Sequence, residues 1–423
     1  MVSTNLPKDA LMADADPIHL HCSRLYDGLG GIKENVGIEV VNGLIQRVAP
    51  LEQLDAPSTG RSAMPIDLRH FTVMPGLIDA HVHLWGAREA TPTEALTVAP
   101  ERRLIRACLD ADALLRSGVT TVRCMGGTFS IAIRDAINDG EIIGPRVLAS
   151  GRAISQTAGH GDLHFLPHDW ARENSFSIVA DGVAECLRAV RLQLRDGADV
   201  IKVCATGGAS SMRDRPEHRQ FTLEELGAIV GEAHAWGRRV AAHAVSKEGI
   251  INAIDAGVDT IEHGHYLDGE TCDRLLDAGV CLVPTLMAGH RNVTLGARLG
   301  AAPWRIAKST QHHQAHLRSF EFAVQRGIQI ACGSDNLGPA LRPHGTTHEE
   351  LELFVQHSMT PMAAIAAATS VSAGALGLEQ VTGSIQPGMA ADIIALDSDP
   401  LEDMSALASV QFVMARGAVV SLP

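Results

Sequence analysis

Short apolar segments alternate with helix-like stretches along most of this 423-residue chain, and this alternation limits the possible folds more than any other feature. The stretches between the apolar segments have amphipathic spacing, as in 102–116 and 223–236, and Thr222 with Glu225 forms a capping-box pattern. Eight segments have the length and composition of strands: 75–83, 119–126, 145–151, 198–205, 238–244, 259–265, 280–286 and 328–335. Eight successive strand–helix units predict an α/β fold of the (β/α)8 TIM-barrel type.

The two ends of the chain have a different texture, in which short β-rich pieces alternate with turns. Examples are 38–41 near the N-terminus and 392–396 near the C-terminus. We expect these segments to pair, giving a composite β-sandwich domain of residues 1–73 with 383–423, beside a barrel domain of residues 74–382. The doubly wound alternative is disfavoured because no glycine-rich dinucleotide fingerprint follows the first strand.

Charge and hydropathy exclude several classes of partner. With 35 Lys and Arg against 49 Asp and Glu, the net charge of −14 argues against binding to nucleic acid or to an anionic membrane surface. No apolar run approaches the length of a membrane span. Residues 1–10 contain no apolar signal core, which predicts a cytoplasmic protein, or a periplasmic or secreted one if a signal segment was removed.

The eight cysteines are scattered without paired spacing, and the sequence contains no C-x-x-C pair. This pattern favours reduced, buried thiols over a disulfide framework. It also makes a cysteine-based zinc site improbable on spacing alone.

Residues of metal-binding type stand at or near the ends of five predicted strands. In 73–83 a hydrophobic run ends in His-x-His, and the two-residue period of a strand turns both imidazoles to one face. The full set is His81, His83, Lys202, His243, His263 and Asp335. A lone histidine in an apolar strand is more often a core residue, but six such residues at the catalytic ends of barrel strands predict a binuclear metal centre.

Lys202 is the candidate bridge between the two ions. It lies between Ile201 and Val203 in an apolar strand, where a free ammonium is costly. Burial favours the neutral amine, which can take up CO2 to form a carbamate with one oxygen for each ion. The alternative is a lysine that extends to the barrel mouth. The other ligands divide into His81, His83 and Asp335 for one ion and His243 and His263 for its neighbour.

Two divalent ions roughly 3.5–4 Å apart can generate hydroxide and polarise a carbonyl or phosphoryl oxygen. Asp335 is the candidate general base, which would take a proton from the attacking water and deliver it to the leaving amine; ligation alone is the alternative. His160, in the loop after the third strand, is expected to donate to the substrate carbonyl or carboxylate, or else to order its loop.

Several further residues are candidates for substrate contact. His265 lies two residues beyond His263 and therefore on the same strand face, where it could support the ligand or touch substrate. The loops after strands seven and eight carry possible partners for a carboxylate, or solvated loop charges: His290, Arg291, Arg342 and His344.

These motifs resemble those of the amidohydrolase superfamily. The matching segments are 74–83, 118–123, 260–264 and 383–392, so the resemblance spans essentially the whole chain. Within that superfamily the chain is similar to the branch of imidazolonepropionase-like and Xaa-Pro dipeptidase-type enzymes, and to its ochratoxinase group. The resemblance implies two zinc-type divalent ions, a carboxylated Lys202 and a homo-oligomer.

The resemblance also implies a function, namely cleavage of the amide bond of N-acyl amino acids or dipeptide-like substrates, with release of phenylalanine or a similar residue. Two departures affect the expected substrate. Relatives often carry a tyrosine where this chain has Val245, which leaves Tyr266 as the tyrosine near the mouth, and Cys124 replaces their usual aspartate. A lactonase or organophosphate esterase is the alternative, since the same pair of ions serves all three reactions. A catalytically silent scaffold is disfavoured because all six ligand-type residues are present.

Overall fold

The computed structural model describes residues 16–54, 64–89, 94–209 and 211–422. Residues 1–10, from which the cytoplasmic location was predicted, lie outside this range. Within it, no helix combines the length and apolar character needed to cross a membrane. All eight cysteines are free thiols, and seven of them are buried.

The strands and helices follow one another in an alternating order through the central part of the chain. The strands are β1 (Ile18–Tyr26), β2 (Ile32–Val41), β3 (Leu44–Pro50), β4 (Met64–Asp67), β5 (Thr72–Pro75), β6 (Leu77–Val82), β7 (Val119–Cys124), β8 (Arg146–Ala149), β9 (Ala153–Ser155), β10 (Ser177–Val179), β11 (Val200–Cys204), β12 (Arg239–Ala244), β13 (Thr260–His263), β14 (Cys281–Val283), β15 (Ile393–Leu396), β16 (Val410–Ala415) and β17 (Ala418–Ser421).

The helices are α1 (Glu94–Thr97), α2 (Pro100–Arg116), α3 (Ser130–Asn138), α4 (His168–Asn174), α5 (Gly182–Asp196), α6 (Leu223–Ala235), α7 (Lys247–Asp255), α8 (Gly269–Ala278), α9 (Leu286–Thr294), α10 (Pro303–Gln325), α11 (His348–Gln356), α12 (Pro361–Ala367) and α13 (Ser370–Leu376). Short 3-10 turns occupy Leu51–Gln53 and Met404–Ala408. The capping box predicted at Thr222 is confirmed, because its side chain accepts from the Glu225 N–H at 3.2 Å.

Two parallel sheets form the barrel wall, β6–β7–β8 and β9–β11–β12–β13–β14, with β10 added beside β9. Their residues are almost all buried, as expected for parallel strands covered by helices on the outside and by side chains within. The two sheets meet where the Asp199 N–H donates to the Ala149 carbonyl at 2.8 Å, just before β11. The predicted (β/α)8 barrel is confirmed.

The eighth predicted strand, 328–335, closes the barrel but is not a regular strand. It forms one isolated parallel bridge, from Ile330 to Leu282, and the residue that follows it, Asn336, forms another with Val82 on the other side. At its end the backbone turns into the left-handed region, with φ +54° at Asp335, so regular strand geometry does not continue beyond that residue. The segment is called the closing segment below.

Strands from both ends of the chain form one sheet, in the order β17–β16–β15–β5–β1–β2–β3, with β4 paired to β1. The N-terminal β5 pairs antiparallel with the C-terminal β15, so the two predicted terminal segments do join. Apolar residues from both meet in one core, among them Leu20, Ile38, Phe412 and Met414. Because β5 spans residues 72–75, it crosses the predicted domain boundary at residue 73, and the exact boundaries stay a prediction.

Candidate active site

One cavity of about 450 Å³ opens at the C-terminal ends of the barrel strands. All six residues predicted as metal ligands line it: His81, His83, Lys202, His243, His263 and Asp335. His81 lies in β6 and His83 directly follows that strand. Lys202, His243 and His263 lie in β11, β12 and β13, and Asp335 ends the closing segment. The barrel therefore brings together side chains that are up to about 250 residues apart in the sequence.

Two histidines and one carboxylate form the tightest group in the cavity. His83 Nε2 lies 3.1 Å from Asp335 Oδ1, and His81 Nε2 lies 3.7 Å from the same oxygen. The candidate ligand atoms of these three residues all lie within 4.8 Å of one another. Such spacing and such a donor set fit one divalent cation.

The other two histidines stand next to this group. The ring centroids of His81 and His263 are 5.2 Å apart, and those of His263 and His243 are 4.5 Å apart. Burial holds the pKa of His243 and of His263 well below the ordinary value. Both rings are therefore neutral at physiological pH, which is the form that ligates a metal.

Hydrogen bonds on the far side of three of the four rings fix how these rings face the cavity. The Nδ1–H of His81 donates to Glu262 at 2.7 Å, and that of His83 donates to the Gly126 carbonyl at 2.9 Å. In both residues the other ring nitrogen, Nε2, therefore faces Asp335. His263 Nδ1 is likewise held by Thr285 Oγ1, at 2.7 Å. Partners of this kind set the tautomer and orientation of ligating histidines.

Glu262 and Arg123 form a buried ion pair behind His81 that the sequence analysis missed. Arg123 Nη2 donates to Glu262 at 2.8 Å, and the Thr260 hydroxyl donates to the same carboxylate oxygen at 2.5 Å. Burial alone would raise the pKa of Glu262, but the charge of Arg123 and the hydrogen bond from His81 lower it to about 2. The available signal was a charged residue inside each of two apolar strands, β7 and β13.

Lys202 is only 4% exposed, and its Nζ finds no hydrogen-bond partner in the part of the chain that the structure describes. Burial lowers the pKa of this lysine, although nearby Glu262 opposes the effect. A buried ammonium without a partner is unfavourable. The unpartnered, buried Nζ fits a lysine that is modified or that bridges metal ions. The lowered pKa fits a neutral amine that can react with CO2.

Asp335 is held between the histidine pair and an arginine. Arg342 donates to Asp335 Oδ2 at 2.6 Å. Burial alone would raise the pKa of this carboxyl, but the charge of Arg342 and the hydrogen bond with His83 hold it well below its ordinary value. The backbone φ is +54° at Asp335 and +78° at His263, a region that non-glycine residues seldom occupy and that is typical of functional sites.

His160 reaches the same cavity from the loop after β9. Its ring stacks on His243 with centroids 4.2 Å apart, and its Nδ1 lies 3.0 Å from Ser211 Oγ and 3.2 Å from Asp214 Oδ2. The segment that carries it lies between the short parallel strands β9 and β10, neither of which was predicted as a strand.

Other predicted contact residues lie outside the described cavity lining, which includes neither His265, Tyr266 nor His290. His265 stacks against His316 of α10 with centroids 3.8 Å apart. The Tyr266 hydroxyl forms a hydrogen bond with His312 of the same helix, and the His290 ring is 5.7 Å from that of His313. Arg291 is paired with Glu349 at 2.6 Å, and His344 is also absent from the lining.

The rest of the lining is largely apolar, with one further cation that was not predicted. Trp85 and Phe176 form an aromatic wall, with ring centroids 4.6 Å apart. Arg305, near the start of α10, is buried in the same lining, where burial and the charge of Arg342 lower its pKa to about 9. Nothing in the sequence distinguishes this arginine from the exposed ones, because α10 itself was not placed at the mouth.

The barrel and the histidine–carboxylate cluster at its mouth define a (β/α)8-barrel hydrolase. A family model described as "Amidohydrolase family" matches residues 72–420. The chain belongs to the amidohydrolase family, and it is a hydrolase that acts on amide bonds. The resemblance predicted from the motifs is confirmed.

Individual relatives support this assignment along nearly the full length. The chain is 35% identical to the ochratoxinase of Aspergillus niger, over 95% of this chain and 86% of the relative. The crystal structure of that ochratoxinase superposes with a TM-score of 0.87, covering 97% of this chain and 96% of the other at 33% identity. A Xaa-Pro dipeptidase structure gives a TM-score of 0.86, covering 96% and 100% of the two chains at 33% identity.

Proposed function

We propose that the protein is a binuclear-metal amidohydrolase that cleaves the amide bond of N-acyl amino acids or dipeptide-like substrates and releases phenylalanine or a similar amino acid. The observation that carries the proposal is the convergence of six ligand-type residues in one cavity. Three would hold the first ion, His81, His83 and Asp335, while His243 and His263 would hold the second. A carbamate on Lys202 would supply an oxygen to each. Zinc fits these nitrogen and oxygen donors.

Two divalent ions bound there would supply hydroxide near neutral pH and polarise the scissile carbonyl. Asp335 would take a proton from the attacking water and deliver it to the leaving amine. His160, beside His243, would donate to the substrate carbonyl or carboxylate. Glu262 would keep the His81 ring fixed while these steps occur.

The cavity also suggests how a substrate lies. Its aromatic wall at Trp85 and Phe176 suits a flat acyl group, which buries apolar surface against the rings. Arg305 and Arg342 are the guanidinium groups of the lining and suit the free α-carboxylate. The names of the relatives agree with such substrates, since ochratoxinase and Xaa-Pro dipeptidase are amide-cleaving enzymes and the dipeptidase structure holds methionine in its active site.

Prolonged chelation is expected to abolish activity, and elemental analysis of active protein is expected to approach two ions per chain. Activity would be followed as release of free amino acid from a panel of N-acyl amino acids. Readdition of Zn²⁺ is expected to restore both metal content and rate. Fully active protein without stoichiometric metal would refute the metal-based mechanism while leaving the amide specificity to be judged from the panel.

Methyl esterification of an N-acyl phenylalanine is expected to lower kcat/KM by ~10-fold or more, because one charge-assisted hydrogen bond is lost. The Arg305→Met variant is expected to lose a similar factor on the acid and little on the ester. Arg318→Met is the matched control, since Arg318 is an exposed residue of the same helix, and it is expected to leave both rates unchanged.

Equal rates for acid and ester in the unaltered protein would remove the carboxylate from the proposal. If a simple lactone or a phosphotriester is hydrolysed faster than every N-acyl amino acid in the same assay, the result would favour a lactonase or organophosphate esterase instead.

A further inference from the structure

A second cavity, of about 390 Å³, lies beside the N-terminal end of α2. Its lining includes Arg103 of α2, Phe129 from the segment after β7, Arg152 just before β9, and Trp170 of α4. None of its lining residues also lines the active-site cavity. None of its residues takes part in the catalytic steps described above.

The two arginines of this cavity have no carboxylate partner in the described part of the chain. The Nε atoms of Arg103 and Arg152 are both buried without a hydrogen-bond partner there. Arg152 does use Nη2, which donates to the Arg172 carbonyl at 3.0 Å and also to the Ser177 carbonyl. Partial burial lowers the pKa of both guanidinium groups, although the charge of Glu94 opposes this effect at Arg103. Partly buried cations without a carboxylate partner gain from an anion that reaches them.

The acidic residue of the lining does not supply that anion. Glu173 is exposed and forms no ion pair with either arginine among the described residues. The carboxylate of Glu94, whose charge acts on Arg103, is already bound to Arg106 and to two backbone N–H groups. The start of α2 adds partial positive charge, because no side chain caps it at Ala99.

Aromatic rings complete the cavity. The Arg103 guanidinium lies 5.4 Å from the centroid of the Phe129 ring, so a cation and an aromatic face are presented together. Trp170 adds a second aromatic ring to the lining. A ligand that matches both features carries an acid group and a flat apolar body.

We infer that this cavity is a binding site for a small aromatic carboxylate, separate from the active site. The carboxylate would be held by Arg103 and Arg152, and the ring would pack against Phe129 and Trp170. The two cavities are close, because Arg152 precedes Ala153 and Ser175 precedes Phe176, and the second member of each pair lines the active site. Direct binding must therefore be distinguished from entry into the catalytic cavity.

Titration calorimetry of the metal-loaded protein with benzoate tests the inference. Benzoate is expected to bind saturably, and the uncharged benzamide at least ~10-fold more weakly, as the loss of a charge-assisted contact requires. Arg103→Met and Arg152→Met are each expected to weaken benzoate binding by ~10-fold or more. Two matched controls are expected to bind as the unaltered protein does: Arg102→Met, on the exposed face of the same helix, and Arg305→Met, in the active-site cavity.

Thermal unfolding of each variant guards against misfolding, and Arg103→Met remains decisive if Arg152→Met loses its backbone contact and unfolds. Absence of benzoate binding would overturn the inference. So would binding that is lost in Arg305→Met and kept in the Arg103 and Arg152 variants, because the ligand would then occupy the active site. Inorganic phosphate binding as tightly as benzoate would overturn the aromatic part of the assignment.

Discussion

The Lys202→Arg variant is expected to lose ~1,000-fold or more in turnover number and most of its bound metal. The buried Nζ of Lys202 has no hydrogen-bond partner in the described structure, and burial lowers its pKa toward the neutral amine. A guanidinium stays charged and cannot form a carbamate. Loss of the bridge would remove several kcal/mol of metal-ion catalysis, and each ~1.4 kcal/mol is tenfold in rate. The measurements are kcat and elemental analysis of the same preparations.

Two companion variants make this experiment specific. Lys202→Ala leaves space at the bridge, and acetate or bicarbonate is expected to restore part of its activity and metal content. Lys247→Arg is the control, because Lys247 is half-exposed and pairs with Asp268 and Glu270 on the protein surface. It is expected to behave as the unaltered protein. Near-normal activity and metal in Lys202→Arg would show that a different group bridges the ions.

The barrel could be predicted from sequence because its strands are buried on both faces and read as short continuous apolar runs. The closing segment is the instructive exception. It has the composition of a strand and donates to or accepts from both neighbouring strands, but no continuous ladder forms and its backbone is left-handed at Asp335. An apolar composition predicts that a segment is buried. Regular strand pairing also depends on the backbone geometry, which the composition does not determine. The segment still closes the barrel, so the predicted topology survives a wrong assignment of its last strand.

The candidate ligands could be predicted for a related reason. Each stands at or near the end of its own apolar strand or segment, and the barrel topology alone brings such positions to one mouth. Arg305 could not be found in this way, since it reaches the cavity from a helix that begins in a long connection. His265 was a candidate because a continuing strand would turn it to the same face as His263, and Tyr266 because it is the tyrosine expected near the mouth. The chain turns beyond His263, and both side chains contact α10 instead.

The hydrogen bond and ion pair that orient the candidate ligand His81 could not be predicted from the sequence either. Glu262 stands next to His263 in the chain, yet its carboxylate reaches His81, which is 181 residues away. Arg123 completes this group from a third strand. Charged residues inside apolar strands were visible as an anomaly, but which ligand they serve depends on the stagger of neighbouring strands. That stagger is fixed by packing throughout the barrel and by no local motif.

The Asp335→Asn variant is expected to lower kcat by at least ~100-fold, the low end of what a positioned acid–base group supplies, while metal content falls much less. The amide keeps an oxygen near His83 Nε2, where the carboxylate oxygen now lies at 3.1 Å, but it cannot accept the proton of the attacking water. Asp162→Asn is the control. Asp162 also lines the cavity, but its carboxylate accepts a hydrogen bond from the Ala158 N–H at 2.8 Å and belongs to no proposed catalytic step. Its kcat is expected to change little. Loss of activity and of metal in equal proportion in Asp335→Asn would make Asp335 a ligand only, and the proton would then have to move through another residue of the cavity, with His160 the first to test.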